Sequence, residues 1–178
     1  MIKTNLLLGS RVSLRAMEPE DLEVLYTLEN DTTLWDISSV NVPYSRYVLK
    51  QFIAKGNHDI YTDGQLRLMI ESVEEGTVIG MVDLVDFNPR HMRAEVGIVL
   101  GRDYRNRGYG TEVLALLEKY VSEFLHLHQL YAYISIFNEA SLKLFKKAGY
   151  DFSCVLRDWI YLNREFVDVK VYQKNIGK

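Results

Sequence analysis

Two rhythms of hydrophobic and polar positions run along the chain, and the places where one gives way to the other mark its elements. Arg11-Val12-Ser13-Leu14-Arg15-Ala16 alternates with period two, the pattern of a half-buried strand. Pro19-Glu20-Asp21-Leu22 opens a helix, with proline early and acidic residues in the first turn, and Leu22, Leu25, Tyr26 and Leu28 form its apolar face. Residues 31–42 carry neither rhythm and read as irregular; a second helix is predicted over 44–55, ending before Gly56. The two helices and the segment between them offer a wall for an acceptor site.

Strands are predicted over 66–73, 78–87 and 92–100, with turns at Glu75-Gly76 and Asn88-Pro89-Arg90, an antiparallel meander. Residues 111–125 place Val113, Leu114, Leu117, Val121, Phe124 and Leu125 at the spacing of a helix packed on a sheet. Alternation returns over 130–137 and stops at Asn138. A short helix over 140–147 closes at Gly149, and two last strands, about 150–161 and 164–173, join at Leu162-Asn163. No repeat, low-complexity tract or linker divides residues 1–178, so one domain is expected.

At 178 residues, 48% hydrophobic and 25% charged, the chain can bury a full core and reads as a soluble globular protein; Met1 to Gly9 lacks a secretory apolar segment, and a cytoplasmic location is expected. A net charge of −3 with dispersed basic residues argues against nucleic acid, no run suits a membrane, and the acidic excess suits a cationic partner. The single Cys154 lies in an apolar stretch and is expected to be a buried thiol. His126 and His128 cannot share a helix face, and no cysteine or third histidine stands at ligand spacing, so no metal is predicted.

The chemistry concentrates in Arg105-Asn106-Arg107-Gly108-Tyr109-Gly110-Thr111-Glu112, between a strand and the best amphipathic helix. Two glycines at that junction let backbone N–H groups approach an anion, while the helix N-terminus, Arg105 and Arg107 supply positive potential. The third glycine of the dinucleotide fingerprint and the lysine of the Walker loop are both missing, so another kind of phosphate-bearing ligand is implied.

With these motifs in order, the chain resembles the GNAT superfamily of acetyl-CoA-dependent N-acetyltransferases. The resemblance rests on Val12-Ser13-Leu14-Arg15 with Pro19-Glu20-Asp21-Leu22, on Arg105-x-x-Gly108-x-Gly110, and on Asn138-Glu139-Ala140-Ser141 with Phe145-Lys146-Lys147-Ala148-Gly149-Tyr150. It implies an α/β fold with a mixed, mainly antiparallel twisted sheet of six to seven strands, about four flanking helices and splayed central strands. It also implies that coenzyme A rests its pyrophosphate on Arg105, Arg107, Gly108, Tyr109, Gly110 and Thr111, that its arm pairs with Ile98, Val99 and Leu100, and that Asn138 and Ser141 contact it; a helix cap is the other reading of the last two.

Within that superfamily, Gly80-Met81-Val82-Asp83-Leu84-Val85-Asp86-Phe87-Asn88 followed by Arg93-Ala94-Glu95 resembles bacterial spermidine acetyltransferases and ribosomal-protein N-terminal acetyltransferases, which acetylate primary amines. Direct acetyl transfer to a polyamine or other small cationic amine is the first expectation. A protein N-terminus or an aminoglycoside-like amine is the alternative, and an acyl-CoA-binding sensor is the non-enzymatic one.

An ammonium must lose a proton before it attacks a thioester, so a carboxylate base is needed. Glu95 is preferred, then Asp83, then Asp86; three apart on an unbroken strand, Asp83 and Asp86 face opposite sides unless a bulge intervenes. The family geometry gives the N–H near Val99 to the oxyanion. Glu29, Asp31, Asp36 and Asp86 with Trp35 can line an ammonium pocket. Two departures stand out: Asn41-Val42 replaces the paired glutamates that spermidine enzymes carry before Pro-Tyr, and Phe145 stands where many relatives place a tyrosine acid, with Tyr150 nearby expected as a core residue and, as the alternative, a substitute acid. The last strands provide an edge on which a homo-oligomer can form.

Overall fold

The period-two run near the N-terminus forms β1 (Val12–Arg15), at one edge of a seven-stranded sheet ordered β1-β2-β3-β4-β5-β7-β6. A computed structural model describes residues 6–35, 42–55 and 59–176, with Trp35 by its backbone alone. The remaining strands are β2 (Leu66–Ser72), β3 (Val78–Asn88), β4 (Arg93–Leu100), β5 (Gln129–Ser135), β6 (Asp151–Leu162) and β7 (Glu165–Asn175); every neighbouring pair is antiparallel except β4 and β5. Helices are α1 (Leu22–Glu29), α2 (Thr32–Trp35), α3 (Arg46–Lys55), α4 (Ile60–Asp63), α5 (Tyr109–Glu123) and α6 (Glu139–Lys147).

Alternation along the strands sorts side chains onto two faces. Leu14, Ile70, Val82, Leu84 and Val96 meet Val113, Leu114, Leu117 and Val121 of α5 in the larger core. On the other face Met69 and Met81 meet Leu25 and Leu28 of α1 and Leu49 and Ile53 of α3. Burying a side chain of this size contributes roughly 1.5–3 kcal/mol, so α5 is held by its apolar stripe rather than by helix propensity.

The α1 entrance is fixed by charge. Proline starts a 3-10 turn at Pro19–Asp21 in place of the first α turn, and Asp21 accepts a hydrogen bond from the Glu18 N–H at 2.8 Å while Arg15 grips its two oxygens at 2.8 and 2.9 Å. The region expected to be irregular contains α2, one turn that Asp31 initiates by accepting from the Thr33 N–H at 2.9 Å. The final hairpin turns at Asn163 and Arg164, one residue later than expected, both at positive φ (49° and 68°), as a two-residue turn between twisted strands demands.

One feature of the sheet positions the site. β4 pairs with β5 only over Arg93↔Gln129, Ala94↔Leu130 and Glu95↔Tyr131, while β4 stays bonded to β3 as far as Leu100 and β5 to β7 as far as Ser135. Each strand follows its own partner, and the twist between the two halves drives them apart from Val96 onward. Glu95 stands at the vertex of the resulting V. Cys154 is exposed, contrary to expectation, because β6 is the outer edge of the sheet and that part of its surface is not under a helix. Among the described residues, no helix is long and apolar enough to cross a membrane, and no group of three His, Cys, Asp or Glu side chains is placed to hold a metal.

Candidate active site

The glycine-containing loop turns into α5 through Gly108, which sits at φ 85°, a conformation that side-chain-bearing residues resist. Tyr109, Gly110 and Thr111 follow as the first turn of α5, whose N–H groups have no carbonyl of their own helix to bind. Gly110 serves a different purpose from Gly108: a Cβ there would stand 3.0 Å from the Leu144 side chain, so its absence lets α6 close on α5.

These donors open into a cavity of about 330 Å³ lined by Ile98, Val99, Leu100, Arg105, Gly108, Tyr109, Gly110, Thr111, Asn138 and Ser141, joined by Leu34, Tyr104, Lys143, Leu144 and Lys147. It therefore runs from the free arm of β4 to the N-terminus of α5. Arg105 is anchored by donating from Nε to the Leu100 carbonyl at 2.9 Å, while its Nη2 is buried with no hydrogen-bond partner. A buried guanidinium nitrogen without an acceptor is costly alone and fits an anionic ligand.

Arg107 is placed differently from expectation. It is exposed and outside the lining; its guanidinium lies 5.6 Å from the Tyr109 ring centre, and its carbonyl accepts from Arg11 at 3.0 Å. Asn138 lines the cavity and also caps α6, accepting from the Ser141 N–H at 3.1 Å. Phe145 is buried and packs edge-on against Tyr150 at 4.9 Å. Burial and neighbouring Glu118 push the Tyr150 phenol well above its usual range, and neither aromatic lines the cavity.

The carboxylates collect on the α1 and α3 side of the V. Glu95 is directly opposite Val85, and Asp83 shares that face two residues earlier. A bulge does intervene between Val85 and Asn88: Asp86 takes φ 47°, which turns its side chain back to the same face, where it accepts a hydrogen bond from the Tyr131 hydroxyl. Three carboxylates thus share a face that an unbroken strand would have divided.

Their partners separate them. Arg67 donates to both oxygens of Asp83 at 2.7 and 2.9 Å and also pairs with buried Glu29, so these two acids are structural counterions rather than a free ammonium pocket. Asp31 is committed to capping α2, where the Thr33 hydroxyl and N–H and the charges of Arg102 and Arg105 hold its carboxyl below the usual range. Glu95 enters no ion pair among the described residues. Burial first, and the charge of Asp86 second, raise its carboxyl from 4.5 to about 7. The Trp35 side chain, Asp36 and Asn41 lie outside the described residues, whereas Val42 is exposed.

Arg67, Tyr131 and the lysines of α6 were not singled out from sequence. Arg67 had a readable signal, a lone cation inside the apolar run Leu66-Arg67-Leu68-Met69-Ile70. Tyr131 had none, because its role depends on a bulge in another strand. A second hollow of about 450 Å³ lies between Thr33 and the β6–β7 hairpin, lined also by Ser135, Phe137, Asn138, Leu162 and Val167.

A sheet parted at its centre, with an anion cradle at a helix start beside the gap and carboxylates across it, defines an acyl-transfer fold. The profile of the acetyltransferase (GNAT) domain matches residues 11–151, and the chain belongs to that family as an N-acetyltransferase. It is 28% identical over 159 residues to the spermidine N(1)-acetyltransferase of Escherichia coli K12, covering 87% of this chain and 81% of that one. It is 24% identical over 164 residues to the Vibrio cholerae spermidine N(1)-acetyltransferase, covering 92% of each. The crystal structure of the V. cholerae spermidine N-acetyltransferase in complex with CoA and spermine superposes with a TM-score of 0.83 at 24% identity, covering 94% of this chain and 96% of that one.

Proposed function

We propose that the chain transfers acetyl from acetyl-CoA directly to a primary amine of a polyamine or another small cation, with Glu95 as general base. The observation that carries this reading is Glu95 itself: a half-buried carboxylate at the vertex of the splayed strands, without a cationic partner among the described ion pairs, raised to about 7. A base with that pKa is largely ionised just above neutrality and strong enough to take a proton from an ammonium as it is desolvated.

The residues present fit coenzyme A. Arg105 Nη2 and the first-turn N–H groups of Tyr109 to Thr111 would hold its phosphates, and the unpaired arm from Val96 to Leu100 would hold its extended arm. When bound, it supplies the acetyl thioester. Glu95 then receives the proton of the incoming ammonium, directly or through one water; the pairing of Val99 with Met81 turns the Val99 N–H toward β3, contrary to expectation, so the carbonyl oxygen is assigned instead to the gap-facing N–H of Ile98 or Leu100. No phenol is assigned to the leaving thiolate, since a thiol pKa of about 8.5 makes thiolate a tolerable leaving group. The reading favours a cytoplasmic, homo-oligomeric enzyme.

The test is release of free thiol from acetyl-CoA with a panel of polyamines, monoamines, aminoglycosides and peptides. Turnover of polyamines with sequential kinetics is expected. Activity confined to peptides, ping-pong kinetics, or coenzyme A binding without any turnover would overturn the proposal.

A further inference from the structure

We propose that Tyr133 and Trp159 form a subsite for a second ammonium group of the acceptor beside the Glu95 centre. This rests on Glu95 as the acceptor-facing base and deepens that reading. The rings continue the site outward in steps: Tyr131, directly opposite Glu95, meets Tyr133 edge-on at 5.5 Å, and Tyr133 meets Trp159 at 6.3 Å and 42°. Tyr133 lies on the arm of β5 that has parted from β4, two residues beyond Tyr131 and so on the same face of the sheet.

Trp159 reaches Tyr133 through an irregularity. Leu156 pairs with Val169 and Ile160 with Val167, so four steps along β6 face two along β7, and Asp158 within that bulge takes φ 51°. The Asp158 N–H donates to the Asp168 carboxylate at 2.9 Å, which pins the bulge. A strained turn is thus held in place, and the indole it carries stays 57% exposed next to a tyrosine that is 42% exposed. Large rings left in water beside uncompensated acid are the makings of an ammonium cage.

The local charge agrees. Arg67 serves Glu29 and Asp83, but neither Asp86 nor Glu95 enters an ion pair among the described residues. Around the Tyr133 hydroxyl, after burial, the charges of Glu95 and Asp86 outweigh the single opposing Arg93. A flat neutral acceptor would use the rings and leave both carboxylates unanswered. A second ammonium uses both, by cation–π attraction and by charge.

The experiment compares 1,4-diaminobutane, 1-aminobutane and 2-phenylethylamine as acceptors of wild type, Trp159→Leu and Trp159→Phe. Trp159→Leu is expected to raise KM for the diamine about twofold to fivefold, the range of an exposed cation–π contact, with kcat and the 1-aminobutane kinetics unchanged, and Trp159→Phe to retain most of the affinity. Tryptophan emission titrated with the diamine, without acetyl-CoA, is expected to change saturably in wild type and not in Trp159→Leu. Equal losses for diamine and monoamine, a wild-type preference for 2-phenylethylamine, or identical emission titrations would overturn the subsite. Saturable diamine binding without acetyl transfer would instead overturn the Glu95 reading and leave the subsite standing.

Discussion

Tyr131 donates its phenolic hydrogen bond to Asp86, 45 positions away in sequence, and the contact lies directly beside Glu95. The bond holds the bulge in β3 and fixes a negative charge next to a half-buried carboxylate. Burial and the bond to Asp86 raise the phenol of Tyr131 as well, so it stays protonated and keeps donating across the working pH range. Burial is the larger cause of the raised Glu95 carboxyl, and a turn in one strand held by a ring on another adds the second.

Activity should rise with pH through about 7, as Glu95 loses its proton. Asp86→Asn removes the neighbouring charge and should move that inflection toward lower pH, since burial alone then raises the group. Glu95→Gln should lower kcat/KM by about 10² to 10⁴ and flatten the acidic limb. An unaltered pH–rate profile in Glu95→Gln would relocate the base. Stability supplies a second readout with the opposite sense. A carboxyl raised on folding destabilises the native state as pH climbs past 4.5, so Glu95→Gln should gain stability over wild type at pH 8 and not at pH 4.

Gly108→Val should weaken coenzyme A binding. At φ 85° a side chain costs about 1–2 kcal/mol, more when β-branched, although its Cβ would find only ordinary contact with Arg11 at 3.5 Å. The loop should relieve that strain by leaving the left-handed region, which turns the first N–H groups of α5 away from the cavity. A rise of about tenfold or more in the coenzyme A dissociation constant by calorimetry is expected. Unchanged binding would place the phosphates elsewhere.

Much of this was legible in the chain because it depends on local rules. Period-two runs, the apolar stripe of α5, Gly149 after α6 and the glycines of the cradle each follow from neighbours close in sequence. The resemblance ordered these pieces into one sheet. What was not legible depends on contacts between distant strands. Asp83 as the second choice of base and Glu29 as an ammonium ligand both look available until Arg67 is seen to pair with each, and Asp86 shares the face of Asp83 only through a bulge. Cys154 looks like a core thiol until β6 proves to be the sheet edge. Phe145 was visible as a missing hydroxyl, but its packing against Tyr150 in the core was not.

Arg67→Met should be strongly destabilising. It takes the guanidinium away from Glu29, which is 7% exposed, and from Asp83, and removing one side of a buried ion pair costs about 3–5 kcal/mol. Thermal unfolding should fall by roughly 10 °C for a chain of this size. Adding Glu29→Gln and Asp83→Asn to Arg67→Met should recover most of the loss, because neither carboxylate then faces the missing guanidinium. Full stability of the single variant would mean that the pair of ion pairs is not structural.

Acid sensitivity should trace to Asp21. Burial opposes its ionisation, but the hydrogen bonds from Arg15 and from the Glu18 N–H outweigh it and hold the carboxyl below its usual 3.8. A carboxyl depressed on folding stabilises the native state above its unfolded value and loses that contribution as pH falls through its folded value. Wild type should therefore show a fall in unfolding free energy below about pH 4, with Asp21 among the groups that set it. Asp21→Asn keeps the shape but cannot be charged, and Arg15 then keeps Glu71, at 2.6 Å, as its carboxylate partner. It should be less stable than wild type at pH 7 by urea unfolding, with the difference shrinking toward pH 2. A difference that stayed constant over that interval would assign the Asp21 contribution to packing rather than to charge.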